Sequence, residues 1–220
     1  MSENPTDAGL AALRREYGDQ GLDVPDLAPD PISMFRRWLD DTVQSGLHEP
    51  NAMVVTTVSA EGRPSARMVL LKSVDVRGFV FYTNYDSRKG GEIDANPAVA
   101  LLFPWHDLQR QVRVEGTAER VSLEESEAYF SSRPRDSQLG AWASPQSREV
   151  ASRSELDELY EEVEERFEDS VGVPVPPQWG GFRVRPEVVE FWQGRKGRMH
   201  DRLVYRREDG DHWSTARLAP

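Results

Sequence analysis

Between residues 53 and 121 short apolar runs alternate with tight turns, and this rhythm limits the fold more than any other feature of the sequence. Met53-Val54-Val55-Thr56-Thr57-Val58 is β-branched. Glu61-Gly62-Arg63-Pro64 is a turn, and Arg67-Met68-Val69-Leu70-Leu71-Lys72 is a second run closed at each end by a cation, so the two predict a hairpin. A turn at Asp75-Val76-Arg77-Gly78 leads into Phe79-Val80-Phe81-Tyr82-Thr83-Asn84. Asp86-Ser87-Arg88-Lys89-Gly90-Gly91 reads as the start of a short helix, after which residues 99–103 and a strand over 111–121 bring the chain back. Two strands, a cationic helix start and two more strands over 66–116 read as a sheet that holds an anion, taken as the phosphate of a cofactor.

The remainder frames that sheet. Residues 1–30 read as an arm, a short helix over 10–17 followed by a polar stretch with Pro25 and Pro29. Ile32, Phe35, Trp38, Leu39, Val43 and Leu47 recur at helical spacing. Ser122-Leu123-Glu124-Glu125 has the capping-box pattern of a helix that carries Tyr129 and Phe130 and stops before Pro134; residues 133–137 then read as a polar loop. Residues 153–168 predict an acidic amphipathic helix with Leu156, Leu159, Val163 and Phe167 on its buried stripe. Pro174, Pro176 and Pro177 make a stiff linker to strands at 182–185 and 188–192, and a last hairpin pairs 200–207 with 213–218. The fold expected is mostly β with peripheral helices: an antiparallel barrel in a single domain over 31–220, with helices packed outside.

Charge narrows the partners. Ten acidic and two basic side chains fall within 149–169, a net of −8 out of −11 for the chain, so the rest is free to build local cationic pockets. No basic stripe balances the acidic helix, and non-specific nucleic-acid binding is disfavoured. With 0 Cys there is no disulfide framework, thiolate nucleophile or Cys-ligated metal, and His-Glu metal spacings are absent too. No apolar run reaches the roughly 20 residues a membrane span needs, and the polar, acidic N-terminus is not a signal peptide. The location expected is cytoplasmic.

Several cationic groups are candidate sites. Arg67 and Lys72 lie five positions apart, which on a regular strand points them to opposite faces; either they serve two anions or they reach water at the strand ends. Arg88 and Lys89 in a first helical turn oppose the helix dipole, a conflict that a bound dianion would offset; the plainer reading is a solvated turn. Tyr129, Arg133 and Ser137 recur every four residues as a phenol, a guanidinium and a hydroxyl suited to phosphate oxygens, although Pro134 interrupts any shared helix face and Tyr129 alone reads as a core aromatic. The densest cluster runs from Trp192 to Arg202, where an aromatic, a Gly-flanked loop, four cations and His200 fall within eleven residues. The loop is able to set Arg198 and His200 over a ring-shaped anionic substrate. His48, His106 and His212 lack such company, and no hydrolase triad, Walker or Gly-x-Gly-x-x-Gly pattern appears.

Val189-Glu190-Phe191-Trp192-Gln193, four residues, then Arg198-Met199-His200-Asp201-Arg202 is a long and specific pattern. With residues 13–17, 67–72, 81–84, 87–89, 101–106, 132–137 and 217–220, it resembles the pyridoxamine/pyridoxine 5′-phosphate oxidases over nearly the whole chain. The resemblance implies an antiparallel Greek-key split barrel, an FMN cofactor at the interface of a homodimer, and no metal. It implies that Arg67, Met68, Val69, Leu70, Leu71, Lys72, Tyr82, Thr83, Arg88, Lys89, Gln111, Gln146, Ser147, Trp192 and Arg202 line FMN. Lys72, Tyr129, Arg133 and Ser137 would hold the substrate phosphate, Arg198, Met199 and His200 would sit at the substrate ring, and Arg14, Arg15, Glu16 and Tyr17 would close over it. The implied reaction oxidises pyridoxamine or pyridoxine 5′-phosphate to pyridoxal 5′-phosphate by hydride transfer to FMN, with dioxygen reduced to hydrogen peroxide; Arg198 and His200 would be the catalytic residues. Two rival classes are a split-barrel flavin or deazaflavin reductase and a non-catalytic flavin or pyridoxal-phosphate binding protein. Arg195 and Lys196, more basic than the family pattern, have no assigned task.

Overall fold

Among the described residues every strand pairing is antiparallel. The computed structural model describes residues 16–209 and 212–220, so the helix expected over 10–17 lies almost wholly outside the described residues. The strands are β1 (Ala52–Val58), β2 (Pro64–Leu70), β3 (Ser73–Asp75), β4 (Gly78–Asn84), β5 (Ala98–Trp105), β6 (Arg110–Arg120), β7 (Trp179–Gln193), β8 (Asp201–Arg207) and β9 (Trp213–Leu218). Hydrogen-bonded neighbours run β2-β1-β5-β6-β7-β4-β3, with β8 on β7 and β9 on β8. β2 and β3, the two ends of that path, are consecutive in sequence and joined only by Leu71 and Lys72. The Leu71 amide bonds Asn51 O at 2.9 Å and the Lys72 amide bonds Val80 O at 2.8 Å. The sheet therefore curls back on itself as a split barrel.

Side-chain alternation fills the interior: Met53, Val55 and Thr57 of β1 and Val99, Leu101, Phe103 and Trp105 of β5 are buried while their neighbours are not. Helix α1 (Pro31–Gln44) plugs the barrel. Pro31 starts it, and the Asp30 side chain accepts the Ile32 and Ser33 amides. Its Phe35 ring meets Phe79 edge-on at 4.9 Å and lies 4.7 Å from Phe103; a ring so enclosed contributes about 1.5–3 kcal/mol. Of the expected stripe, Val43 faces solvent.

Three expectations need correction. The two strands at 182–185 and 188–192 are one, the fifteen-residue β7. It pairs β4 through its first half and β8 through its second, while β6 follows both. The register slips between Glu115 and Gly116, opposite Pro186, where a missing amide allows a bulge rather than a break. The polar loop at 133–137 is mostly helix: α2 (Arg88–Ala95) and α3 (Leu123–Ser131) precede it, and Pro134 caps a new helix, α4 (Arg135–Ala143). Finally, Leu156, Leu159 and Val163 of α5 (Arg153–Arg166) are only half-buried, because α5 rests on α4 at the rim and not on the sheet; Phe167 beyond its end is buried. Phe167 joins Phe130, Leu139, Val173 and Trp179 in a second core under α3 and α4. Among the described residues no helix is long and apolar enough to cross a membrane.

Candidate active site

β2, β4 and helices α2 to α4 surround a cavity of about 610 Å³. Arg67, Thr83, Lys89 and Gln146 form one group in its wall. The Ser87 hydroxyl caps α2 through the Gly90 amide and so sets Lys89 in the first turn. Lys89 is 8% exposed, and its ammonium donates to Gln146 Oε1 at 2.8 Å, Thr83 Oγ1 at 2.9 Å and Ser87 Oγ at 3.3 Å, all neutral acceptors. Burial, with the nearby Arg67 charge adding, pulls its pKa from 10.5 to about 8. Arg67 is held by Thr57 Oγ1 at 2.6 Å, Ser65 Oγ at 2.5 Å and Glu92 Oε2 at 3.3 Å. Burial alone would raise the Glu92 carboxyl, but hydrogen bonds from Ser65, Thr57 and Arg88 hold it at about 2. Glu92 thus fixes Arg67 from behind and leaves Lys89 as a buried cation whose direct partners carry no charge.

The second group in the same wall is Lys72, Tyr129, Arg133 and Ser137. β2 ends at Leu70, so strand parity does not extend to Lys72, and Arg67 and Lys72 line one cavity instead of facing apart. Pro134 breaks the helix between Tyr129 and Ser137, yet the α3–α4 corner brings both to the cavity with Arg133 between them. Tyr129 stacks on Tyr82 at 4.0 Å, and Tyr82 on Trp179 at 5.3 Å. The Lys72 ammonium lies 5.9 Å from the Tyr129 ring and the Arg133 guanidinium 4.8 Å from the Trp179 ring. Arg133 Nη1 is a buried donor without a hydrogen-bond partner among the described residues, and burial lowers the Arg133 pKa. An orphaned guanidinium N–H beside a hydroxyl and an ammonium is suited to an anion.

Met68, Val69, Leu70 and Tyr82 also line the cavity. Leu71 is in the main core instead, and Arg88 turns back to Glu92 at 2.8 Å, one helical turn on. That i,i+4 pair, not an anion, relieves its conflict with the dipole. Ser147 follows Gln146 with a left-handed φ of 72° and is not in the lining.

The remaining expected residues gather elsewhere. Gln111 pairs with Trp192 across β6 and β7. Trp192, His200 and Tyr17 pack as three rings, with centroids 4.7 Å apart for Trp192–His200, 5.4 Å for Tyr17–His200 and 5.9 Å for Tyr17–Trp192. His200 Nδ1 accepts the Arg195 amide at 3.1 Å, so Nε2 carries the proton of the neutral ring. Arg198, with φ 63°, and Met199 are exposed beside it. Arg202 makes a two-pronged bond to Glu190 at 2.8 and 3.1 Å. Glu16 is exposed, and Arg14 and Arg15 lie outside the described residues. None of this second constellation lines the cavity. Thr57, Ser65, Glu92 and Trp179 are site-building residues that sequence reasoning missed; only Glu92 left a signal, its spacing of four from Arg88.

Known proteins resemble this chain along most of its length. Residues 39–167 match the model of the pyridoxamine 5′-phosphate oxidase family, and residues 179–220 match the pyridoxine 5′-phosphate oxidase C-terminal dimerisation region. A pyridoxine/pyridoxamine 5′-phosphate oxidase of Rubrobacter xylanophilus is 61% identical, covering 96% of each chain. One from a Nocardioides species is 58% identical over 96% of this chain and 98% of its own. Among solved structures, PhzG from Burkholderia lata 383, in complex with tetrahydrophenazine-1-carboxylic acid, superposes with a TM-score of 0.85 at 30% identity, over 92% of this chain and 99% of its own. The chain belongs to the pyridoxamine 5′-phosphate oxidase family.

Proposed function

We propose that this chain is an FMN-dependent oxidase that converts pyridoxamine or pyridoxine 5′-phosphate to pyridoxal 5′-phosphate. The observation that carries the reading is one cavity with two separate cationic groups, Arg67 with Lys89 and Lys72 with Arg133. Two phosphorylated molecules, cofactor and substrate, need two such groups. The residues fit FMN: the buried Lys89 ammonium has only neutral partners, which leaves a phosphate as its natural counter-ion. Arg67 and Lys89 would hold the FMN phosphate, and Met68, Val69 and Leu70 would lie along the flavin. When bound, FMN supplies the two-electron acceptor that dioxygen reoxidises, with release of hydrogen peroxide.

The protein's share is binding and orientation. Arg133 Nη1, Lys72, Tyr129 and Ser137 would take the substrate phosphate, which fixes one end of the substrate in a water-poor corner. Arg198 would neutralise charge that develops on the substrate ring, and His200, with its Nε2 proton facing outward from the Arg195 bond, would position a ring substituent. Trp192, Arg198, His200 and Arg202 fall within the segment matching a dimerisation region. We therefore infer a homodimer in which the phosphate cavity of one protomer is completed by the ring cluster of its partner. A Cys-free chain fits a reducing compartment, and we place the enzyme in the cytoplasm.

The test is an anaerobic visible spectrum of the FMN-loaded protein with pyridoxamine 5′-phosphate added. The flavin bands should bleach, then return in air with one peroxide and one pyridoxal 5′-phosphate formed. Bands that persist through the anaerobic addition overturn the reading in favour of a storage protein.

A further inference from the structure

Arg195 and Lys196 stand in the loop between β7 and β8 and take no part in the cavity. Both instead face the incoming segment 16–23. Lys196 Nζ pairs with Asp19 Oδ2 at 2.9 Å. Arg195 pairs with Asp201 Oδ2 at 3.3 Å, and the same oxygen accepts the Leu22 amide at 3.0 Å. Arg217 completes the hub: it bonds Asp201 Oδ1 at 2.5 Å, Leu22 O at 3.0 Å and Asp23 Oδ1 at 2.8 Å.

The two attachments differ in strength. Asp201 is 7% exposed and Leu22 is buried, so the hub is a fixed anchor. Lys196 and Asp19 have side chains 58% and 72% exposed, which makes their pair weak and screened by salt. Between this weak tie and the ring cluster lies Tyr17, two residues before Asp19, with its ring edge on both Trp192 and His200. Gly194 permits that contact, since a Cβ there would lie 3.1 Å from Tyr17 Cγ. The Gly18 amide, bonded to Gln109 Oε1 at 2.7 Å, also ties segment 16–23, a strap over the ring cluster, on this side of the anchor.

We propose that Lys196 is a positioning residue: its pair with Asp19 is a latch that holds Tyr17 down on Trp192 and His200, and the strap opens at this latch to admit the substrate ring while the Asp201 hub stays closed. The role in catalysis rests on the reading above that Trp192 and His200 face the substrate, but the latch itself does not.

The test uses full-length Lys196→Ala, Asp19→Ala and the exchanged pair Asp19→Lys/Lys196→Asp. In ligand-free protein each single variant should speed hydrogen exchange of the Gly18 amide about two- to fivefold, the size of a surface ion pair, and leave the Leu22 amide unchanged. The exchanged pair should restore the slow rate, and 0.5 M salt should move the wild type, not the single variants. In the FMN-loaded enzyme KM for pyridoxine 5′-phosphate should shift by the same factor at constant kcat. Unchanged Gly18 exchange in both single variants overturns the latch, whatever the enzyme turns out to oxidise. Faster exchange with KM and kcat both unmoved overturns the positioning role.

Discussion

At the scale of single residues, the most informative group is Lys89, a buried ammonium whose direct partners are all neutral. Burial, helped by Arg67, leaves the amine with a pKa of about 8 against 10.5 for a free lysine. In the unfolded chain Lys89 keeps its proton up to the higher value, in the folded ligand-free protein only up to the lower one. Between the two, stability of the ligand-free protein rises with pH; below about 8 both states are charged and the cost of burial stands in full. A bound phosphate dianion reverses the preference, since it favours the ammonium. Cofactor binding should therefore take up a proton around pH 8, and FMN affinity should fall above that pH by up to about tenfold per unit. Below about pH 6 the phosphate itself gains a proton, so affinity should peak between these limits. Titrations followed by quenching of flavin fluorescence from pH 6.5 to 9.5 measure this. Lys89→Met should bind FMN more weakly and lose the alkaline fall; a fall that persists in the variant would assign it to another group.

At the scale of elements, β7 decides where the ring cluster stands. Its register slip turns the second half of the strand from β4 onto β8, and it is this half that carries Trp192. Gly116, across from the slip, has no room for a side chain: a Cβ would lie 2.1 Å from Arg185 O, a backbone atom that cannot swing aside. Gly116→Ala should cost about 3 kcal/mol, at the upper end of overpacking effects, and lower the urea midpoint without altering the slope; a midpoint within error of wild type would mean the slip relaxes freely. The sequence showed both halves of β7 as strands but not their union, because Pro186 between them reads as a break unless the partner strand bulges. It showed α3 and its Ser122 cap plainly. It hid α4, because Arg133-Pro134-Arg135-Asp136-Ser137 is polar enough for a loop and the Pro that ends one helix is also the residue that starts the next. The candidate site was legible where cations cluster or stand against local preference, as at Arg67, Lys72, Lys89 and the 192–202 cluster. It was illegible where ordinary residues do the holding: Thr57, Ser65 and Glu92 join β1, β2 and α2 only after folding, and no local pattern announces them.

At the scale of the whole molecule, the candidate site residues form two groups that do not meet within one chain. The cavity wall carries Arg67, Lys72, Lys89 and Arg133, and the rings of Trp192 and His200 lie outside that wall. In the homodimer proposed above, two-fold pairing would set each cavity against a ring cluster of the partner and give two equivalent composite sites. This makes a prediction that no single-chain site shares. Arg133→Ala removes the orphaned guanidinium from every cavity, and Arg198→Ala removes the cation from every ring cluster, so each homodimer should be nearly inactive. In a mixed dimer one site receives both lesions and the other neither. Denaturing the two variants together in equal amounts and refolding with FMN should make half of the dimers mixed, each with one intact site, and restore about a quarter of wild-type kcat. The restored activity should show wild-type KM, because the intact sites are complete. If each chain instead catalysed alone, mixing would restore nothing, and activity that stayed at the level of the separate variants after verified subunit exchange would place both half-sites in one protomer. Because the readout is the presence of fully normal sites, not a partial gain in damaged ones, slow or incomplete refolding changes its size but not its KM.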